Sequence, residues 1–430
     1  MKKALIITYY WPPSGGSGVQ RWLKFVKYLR DFGWEPIVYT PENPENPEVD
    51  NSLLKDIPQN IIILKYPIWE PYNFYKKFTG KRKSQQINTG FLSENKKPKL
   101  LEGIAIWIRG NFFIPDARKY WIKPSVKFLE NYLIKNHVDV IISTGPPHSM
   151  HLIAYHLKKK LNINWIADFR DPWTNIDFYD QLKLSSRADK KHHKLEHTVL
   201  SSADKVIVIS NTMAEDMKRL HNRHYEVITN GYDTEDLQAT TVKADTKFSI
   251  AHIGTMPKTR NPEALWKVLN NLTKEDSQFA YDLEIKLVGK VDYSVTQMLE
   301  HYNLSKYLNK INYLPHDQVI NIQQQSQILL LLLNDTPNAK MILTGKFFEY
   351  MSAQRPILCI GPTDGDAAEI LKKTKSGYIS GFKDEETLKN NILELYSKYK
   401  KGCLLSESIG IERYSRKNLT GELVKCMEQL

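Results

Sequence analysis

Ala4-Leu5-Ile6-Ile7-Thr8-Tyr9-Tyr10-Trp11-Pro12-Pro13-Ser14-Gly15-Gly16-Ser17-Gly18-Val19 reads as an apolar strand, a proline- and glycine-rich loop and the start of a helix. Trp22, Phe25, Val26, Leu29 and Phe32 continue at helical spacing, and Gly33 stands where a C-terminal cap belongs, so a helix is predicted over Val19 to Phe32. A glycine loop at a helix start offers free backbone N–H groups and the positive end of the helix dipole, a setting that favours an anion, most often phosphate. The loop is not the dinucleotide fingerprint. Gly16-Ser17-Gly18-Val19-Gln20 is followed by Arg21 rather than glycine, and no acid closes the second strand at Val38-Tyr39-Thr40. Nor does it end in the Gly-Lys-Ser/Thr of a P-loop, and a tight turn without a ligand is the alternative reading.

Outward from this unit, strands alternate with helices. Strands are predicted at Ala4–Thr8, Pro36–Tyr39, Ile61–Leu64, Val138–Ser143, Asn164–Asp168, Lys205–Ile209 and Glu226–Thr229, with helices near His148–Leu161 and Leu182–Ser202. A second series begins at Phe248–Ile253. It continues with a helix near Pro262–Leu272, strands at Glu284–Val288, Lys310–Leu314 and Ile328–Leu333, a helix around Phe347–Ala353 and a strand at Pro356–Ile360. Such alternation predicts parallel sheets and an α/β fold of two tandem Rossmann-like modules, residues 1–240 and 245–410. Polar Asp233 to Thr246 reads as the linker, and the last helix, within 411–430, is expected to cross back to the first module. The cleft between such modules is the default ligand site.

A chain of 430 residues exceeds one compact core, and 41% hydrophobic with 25% charged residues is an ordinary globular composition. The longest purely apolar stretch, Ile328 to Leu333, is far too short to span a bilayer, and mean hydropathy is −0.45. Two lysines before only Ala4–Ile7 do not make a signal peptide, so the chain is expected to stay inside the cell. Cys359, Cys403 and Cys426 suggest neither a disulfide framework nor a zinc knuckle.

Net charge is +12, and Lys65 to Lys127 alone holds 14 Lys/Arg against 4 Asp/Glu, so the excess is concentrated there. The same segment interleaves Trp69, Tyr72, Phe74, Tyr75, Phe112, Phe113, Tyr120 and Trp121 with Lys76-Lys77 and Lys81-Arg82-Lys83. It interrupts the strand-helix series as an insertion over 65–127. Three readings stand: a surface for anionic lipid headgroups or a phosphorylated, greasy acceptor, an insertion with its own small core and solvated lysines, and a single-stranded nucleic-acid binder without a recognisable motif.

Ala167-Asp168-Phe169-Arg170-Asp171-Pro172-Trp173 puts two acids and an arginine at the C-terminal end of a strand, where open α/β sheets carry function; an Arg-Asp structural pair is the plainer account. His193-Lys194-Leu195-Glu196-His197 matches a His-x-x-Glu-His zinc pattern without a clear third ligand, and a solvated helix face explains it better. Asp364-Gly365-Asp366 looks like a metal-binding Asp-x-Asp, yet it precedes a helix over Ala367–Lys373, for which Asp366 is expected to be the N-cap. In the second module Arg260 follows the first strand, and Thr344-Gly345-Lys346-Phe347-Phe348-Glu349-Tyr350 opens a helix. An arginine and a lysine there suit a diphosphate, and a glutamate one turn deeper suits two ribose hydroxyls.

Tyr10–Pro13 with Gly15–Gly18, Ala167–Trp173, Ala203–Ser210, Thr229–Asp233, His252–Thr255 and Gly345–Tyr350 through Pro356–Leu358 occur in an order that resembles the retaining GT-B glycosyltransferases of the glycosyl transferases group 1 family, family 4-like. The resemblance covers nearly the whole chain. It implies two Rossmann-like domains facing across a cleft, the first holding the acceptor and the second a nucleoside-diphosphate sugar. By resemblance Arg260 and Lys346 contact the diphosphate, Glu349 the ribose, and Leu314-Pro315-His316 the base. Gly254 and Thr255 line the donor site, Gly16 and Gly18 close over its phosphates, and His148, Arg170 and Asp171 line the acceptor pocket, with Arg260, Lys346 and Asp171 taken as catalytic.

The resemblance further implies transfer with retention, assisted by the leaving phosphate, without a metal or other cofactor. Two departures stand out. Where members often carry a first glutamate, this chain has Met341, and where many have His-Asp it has Arg170-Asp171. The expected role is transfer from a UDP-sugar, or a GDP-sugar, to a saccharide or lipid-diphosphate-linked acceptor in cell-surface polysaccharide synthesis, in the cytoplasm or at the inner face of the plasma membrane. No nucleic-acid partner is expected. A sugar-nucleotide epimerase of the same fold and a non-enzymatic nucleotide-sugar or nucleic-acid binder are the alternatives.

Overall fold

The computed structural model describes residues 1–45, 49–70, 100–237 and 242–430. Lys76, Lys77, Lys81, Arg82 and Lys83 lie outside the described residues, as does part of the expected linker. The chain divides into two compact units, Met1–Thr229 with Arg416–Leu430, and Asn230–Ser415.

In the first unit, β1 (Lys2–Ile7), β2 (Trp34–Pro41), β3 (Ile62–Tyr66), β4 (Val140–Gly145), β5 (Asn164–Phe169), β6 (Lys205–Val208) and β7 (Glu226–Val227) form a sheet ordered β3-β2-β1-β4-β5-β6-β7. All pairings are parallel; Ala4 lies opposite Pro36 on one side and Val140 on the other. Central strands are buried along their length because helices cover both faces: Ala4 to Ile7 are apolar and buried, and every residue of β4 is buried, Ser143 and Thr144 included. Helix α1 (Ser17–Leu29) lays Val19, Trp22, Val26 and Leu29 into this core.

The insertion contributes α2 (Leu100–Phe112) and α3 (Lys119–Leu133), which are followed by α4 (Ser149–Leu161), α5 (Ser186–Ser202) and α6 (Asn211–Leu220). The α5 helix starts later than its sequence suggests. A 3-10 turn occupies Tyr179–Leu182, and the Ser185 side chain then accepts the Ala188 N–H as the N-cap.

The second unit repeats the plan. Its strands β8 (Phe248–Ile253), β9 (Leu283–Val288), β10 (Leu308–Ile311), β11 (Ile328–Leu332), β12 (Ile357–Ile360) and β13 (Gly377–Ser380) are ordered β10-β9-β8-β11-β12-β13, again all parallel. Helices α7 (Glu263–Glu275), α8 (Ser277–Asp282), α9 (Tyr293–His301), α10 (His316–Gln325), α11 (Gly345–Ser352), α12 (Asp366–Thr374) and α13 (Glu385–Lys400) flank it.

Both sheets thus order their strands outward from the first, 3-2-1-4-5-6, with the C-terminal strand ends gathering the loops that carry function. The strand expected at Lys310–Leu314 is shifted to Leu308–Ile311, because Gly289 N–H pairs with Ile311 O and the chain then leaves the sheet.

The final helix, α14 (Arg416–Glu428), belongs to the first unit, where Leu419, Leu423, Val424 and Met427 join the core beneath α1. No helix among the described residues is long and apolar enough to cross a membrane.

Candidate active site

In the second unit the site forms where β8 ends. Gly254 adopts φ +114°, and a Cβ there would lie 2.8 Å from Lys346 Nζ, so glycine both permits the turn and leaves room for the ammonium. Lys346, in the first turn of α11, donates to Ile253 O at 2.8 Å. Tyr350, one turn on, is buried and accepts the Ile253 N–H at 3.0 Å, so both polar groups at the strand end are held by α11.

Burial pulls the Lys346 pKa down to about 7; the Arg260 charge adds to this and Glu349 opposes it. Arg260 is held at 2.7 Å through Nε by Asn334 Oδ1. Glu349 is half-buried and accepts from Gln323 Nε2 at 3.4 Å. Gly254 N–H bonds Val288 O at 2.8 Å, which fixes the loop carrying half-buried Thr255. His252 is buried beneath, with Nδ1 3.1 Å from Leu330 O, and burial together with Lys346 keeps it neutral.

Arg260, Lys346, Glu349, Gly254 and Thr255 are therefore brought to one strand end. Leu314 and exposed Pro315 lead into α10, whose first residue, His316, lies 3.3 Å from Asp236. Met341 is buried in a 3-10 turn, so its side chain serves the core.

In the first unit Asp168 is the hub. Its buried carboxylate accepts from Arg21 Nη2 at 2.8 Å, Trp22 Nε1 at 2.7 Å and Thr144 Oγ1 at 2.9 Å. Arg21 also donates to Ile228 O and Thr229 O, tying α1 to the chain after β7. The ion-pair partner of the β5 acid is thus Arg21. Arg170 instead spends its guanidinium on backbone, donating to Gly18 O at 2.9 Å and to Pro146 O. A Cβ on Gly18 would come within 3.0 Å of Tyr10 Cδ2 and 3.1 Å of Arg170 Nη1, so glycine eases the close approach of both side chains.

Gly16, at φ +90°, is the N-cap of α1 and supplies no side-chain cap, leaving the helix start to outside acceptors. His148 is buried, stacked on Trp173 with centroids 4.5 Å apart, and its Nδ1 lacks a partner. Burial, His151 and Arg170 all hold it neutral. Asp171, next to Arg170 in the chain, is exposed.

Sequence reasoning missed Arg21, whose place at the sheet end shows only in three dimensions, and Asp116, whose carboxylate accepts the N–H and hydroxyl of Ser149 at 2.9 and 2.8 Å beside His148. The only sequence signal for Arg21 was a charge at i−1 of a buried Trp. In the His-x-x-Glu-His stretch, His193 and His197 are exposed while Glu196 is buried and accepts from Thr174 Oγ1, so this face is partly core. No group of three or more metal-ligating side chains occurs among the described residues. Asp366 is not the N-cap: Gly365 is, because it turns the chain against Lys340, and Asp366 becomes the first helical residue. Asp364 pairs with exposed Lys340 at 2.5 Å.

Two doubly wound parallel sheets in tandem are the two Rossmann-like domains of the GT-B fold. Residues 16–236, just over half the chain, match the model of Glycosyltransferase Family 4, and the chain belongs to that family.

Similar solved structures include the sucrose-phosphate synthase of Thermosynechococcus elongatus, at 13% identity and a TM-score of 0.62 over 100% of this chain and 99% of that one. A TarM variant of S. aureus, in complex with fondaparinux, alpha-GlcNAc-glycerol and UDP, aligns at 12% identity and a TM-score of 0.63 over 99% and 100%. WaaG, a glycosyltransferase involved in lipopolysaccharide biosynthesis, aligns at 11% identity and a TM-score of 0.59 over 99% of both chains. No curated protein matches the chain.

Proposed function

We infer that the protein transfers a sugar from a nucleoside-diphosphate donor, UDP-linked by preference and GDP-linked as the alternative, to a saccharide or lipid-diphosphate-linked acceptor, with retention. The observation that carries this reading is the cationic strand end of the second unit. Lys346 and Arg260 stand beside a glycine turn that admits a close ligand, with Glu349 one helical turn away.

Arg260 and Lys346 neutralise the diphosphate as it leaves, Glu349 accepts the ribose hydroxyls, and backbone at Leu314, Pro315 and His316 meets the base. Gly254 and Thr255 line the donor site, and Gly16 and Gly18, at the start of α1, are assigned to phosphate binding. His148 and Asp171 serve the acceptor, while Arg170, assigned to the acceptor from sequence, acts by holding the Gly18 and Pro146 carbonyls. In the transfer the bond from the anomeric carbon to the diphosphate breaks, the acceptor oxygen bonds to the same face, and the acceptor proton passes to the departing phosphate. No step is assigned to a metal or other cofactor.

We assign the product to cell-surface polysaccharide synthesis and the site of action to the cytoplasmic face of the membrane. Calorimetric titration with UDP, GDP and ADP, with and without Mg²⁺, tests the donor site. One nucleotide is expected to bind independently of metal and to weaken about tenfold or more in Glu349→Ala. Binding of none refutes the donor assignment, and conversion of a nucleotide sugar without acceptor identifies an epimerase instead.

A further inference from the structure

Among the described residues, helix α2 is anchored on one side and uncovered on the other. Gly110 lets its backbone approach the 182–184 segment so closely that a Cβ would lie 2.6 Å from Leu182 O. Asn111 donates to Lys183 O at 3.2 Å and accepts the Ser185 N–H at 2.7 Å. With that edge held, Ile104, Trp107, Ile108 and Phe112 project from one stripe at helical spacing, and their exposures of 41%, 42%, 36% and 58% are far above those of core residues.

The apolar surface continues past the helix. Lys119 Nζ bonds Phe112 O at 2.5 Å and sits 4.9 Å from the Tyr120 ring, and Tyr120 meets exposed Trp69 edge-on at 5.2 Å. Large apolar groups exposed together mark a contact surface rather than chance. The chemistry of the partner follows from the charge: the described residues of the 65–127 segment include six basic against three acidic ones, Glu70 being paired with buried Arg118, and Lys65, Lys123 and Lys127 are exposed. An apolar face in a stretch of chain with this basic excess, extended by exposed Trp69 and Tyr120, suits the headgroup boundary of an anionic bilayer.

We propose that the Ile104, Trp107, Ile108 and Phe112 face of α2, extended by Trp69 and Tyr120, is the surface by which this protein lies on an anionic lipid membrane. This gives residues to the membrane contact read from the insertion's composition, and it stands whether or not the donor site is assigned correctly.

The test is co-sedimentation of the full chain with phosphatidylglycerol–phosphatidylethanolamine vesicles and with phosphatidylcholine vesicles. Binding is expected on the first and not the second, and about tenfold or greater loss is expected in Ile104→Ser/Trp107→Ser/Ile108→Ser/Phe112→Ser. A control, Tyr281→Ser/Tyr293→Ser, removes exposed aromatics of the other unit and is expected to bind as wild type. Should the quadruple variant fail to fold, brominated acyl chains report directly: they are expected to quench tryptophan emission, less so in Trp107→Phe. No vesicle binding, equal binding to both vesicle types, binding unchanged in a folded quadruple variant, or self-association in solution abolished by those substitutions each overturns the proposal.

Discussion

Occupation of the Lys346 site by a nucleoside diphosphate is expected to draw a proton from solvent. In the free protein burial and Arg260 hold this ammonium near pKa 7, so at pH 8 only about a tenth of it is charged. A diphosphate in ion-pair contact restores the group toward its ordinary value near ~10.4, and the site then takes up about 0.9 proton at pH 8 but only about 0.1 at pH 6. Titration with UDP in Tris and in phosphate, whose ionisation enthalpies differ widely, reads this uptake as the slope of apparent enthalpy against buffer enthalpy. Lys346→Met is expected to abolish the slope and to weaken binding. Tight UDP binding with the same enthalpy in both buffers at pH 8 refutes the reasoning. The same depression means that an unfolded chain binds more protons than the native one between about pH 7 and ~10, so in that window Lys346 makes stability rise with pH.

Asp168→Asn keeps the shape of the hub but leaves the Arg21 guanidinium buried without its counter-charge, and urea unfolding of the first unit is expected to show a loss of about 3–5 kcal/mol; a loss below about 1 kcal/mol contradicts this account. Burial raises the Asp168 carboxyl, but the Arg21 charge and the bonds from Arg21, Trp22 and Thr144 outweigh it and hold it below the ordinary range. Its contribution is therefore full above about pH 4 and disappears as pH falls through the native value, and acid unfolding is expected to lose that component in the variant. Gly254→Ala meets both a positive φ and the Lys346 ammonium, so stability is expected to drop by about 1–2 kcal/mol, with UDP affinity falling alongside in calorimetry. Leu423→Ala opens a cavity where α14 meets α1 and is expected to cost the first unit about 2–5 kcal/mol in thermal or urea unfolding, with UDP binding intact.

Strand and helix periodicity was legible because it is local. Ala4–Ile7, Val140–Ile142 and Ile328–Leu332 are continuous apolar runs, as strands of a sheet covered on both faces are, and the glycine loop before α1 announces its own turn. Boundaries slipped where capping or pairing decided them. Ser185 rather than Leu182 starts α5, Gly365 rather than Asp366 precedes α12, and β10 ends at Ile311. Of the candidate site, Arg260, Lys346 and Glu349 were legible as residue types after a strand or at a helix start, and Gly254 only through the resemblance. The strand-end hydrogen bond that orients the lysine and the packing that lowers its pKa were not.

The sequence by itself determined two tandem α/β series, a glycine loop opening the first helix and a concentrated basic-aromatic segment, since each depends on residues close together in the chain. Only the tertiary structure decided that Arg21 answers Asp168 across 147 positions, that Arg170 is spent on the Gly18 and Pro146 carbonyls, and that α2 turns its Trp107 stripe outward. The reason is physical: a charge declares its need for a partner wherever it sits, but which partner it finds, and which face of a helix is left uncovered, depend on what the folded chain brings alongside.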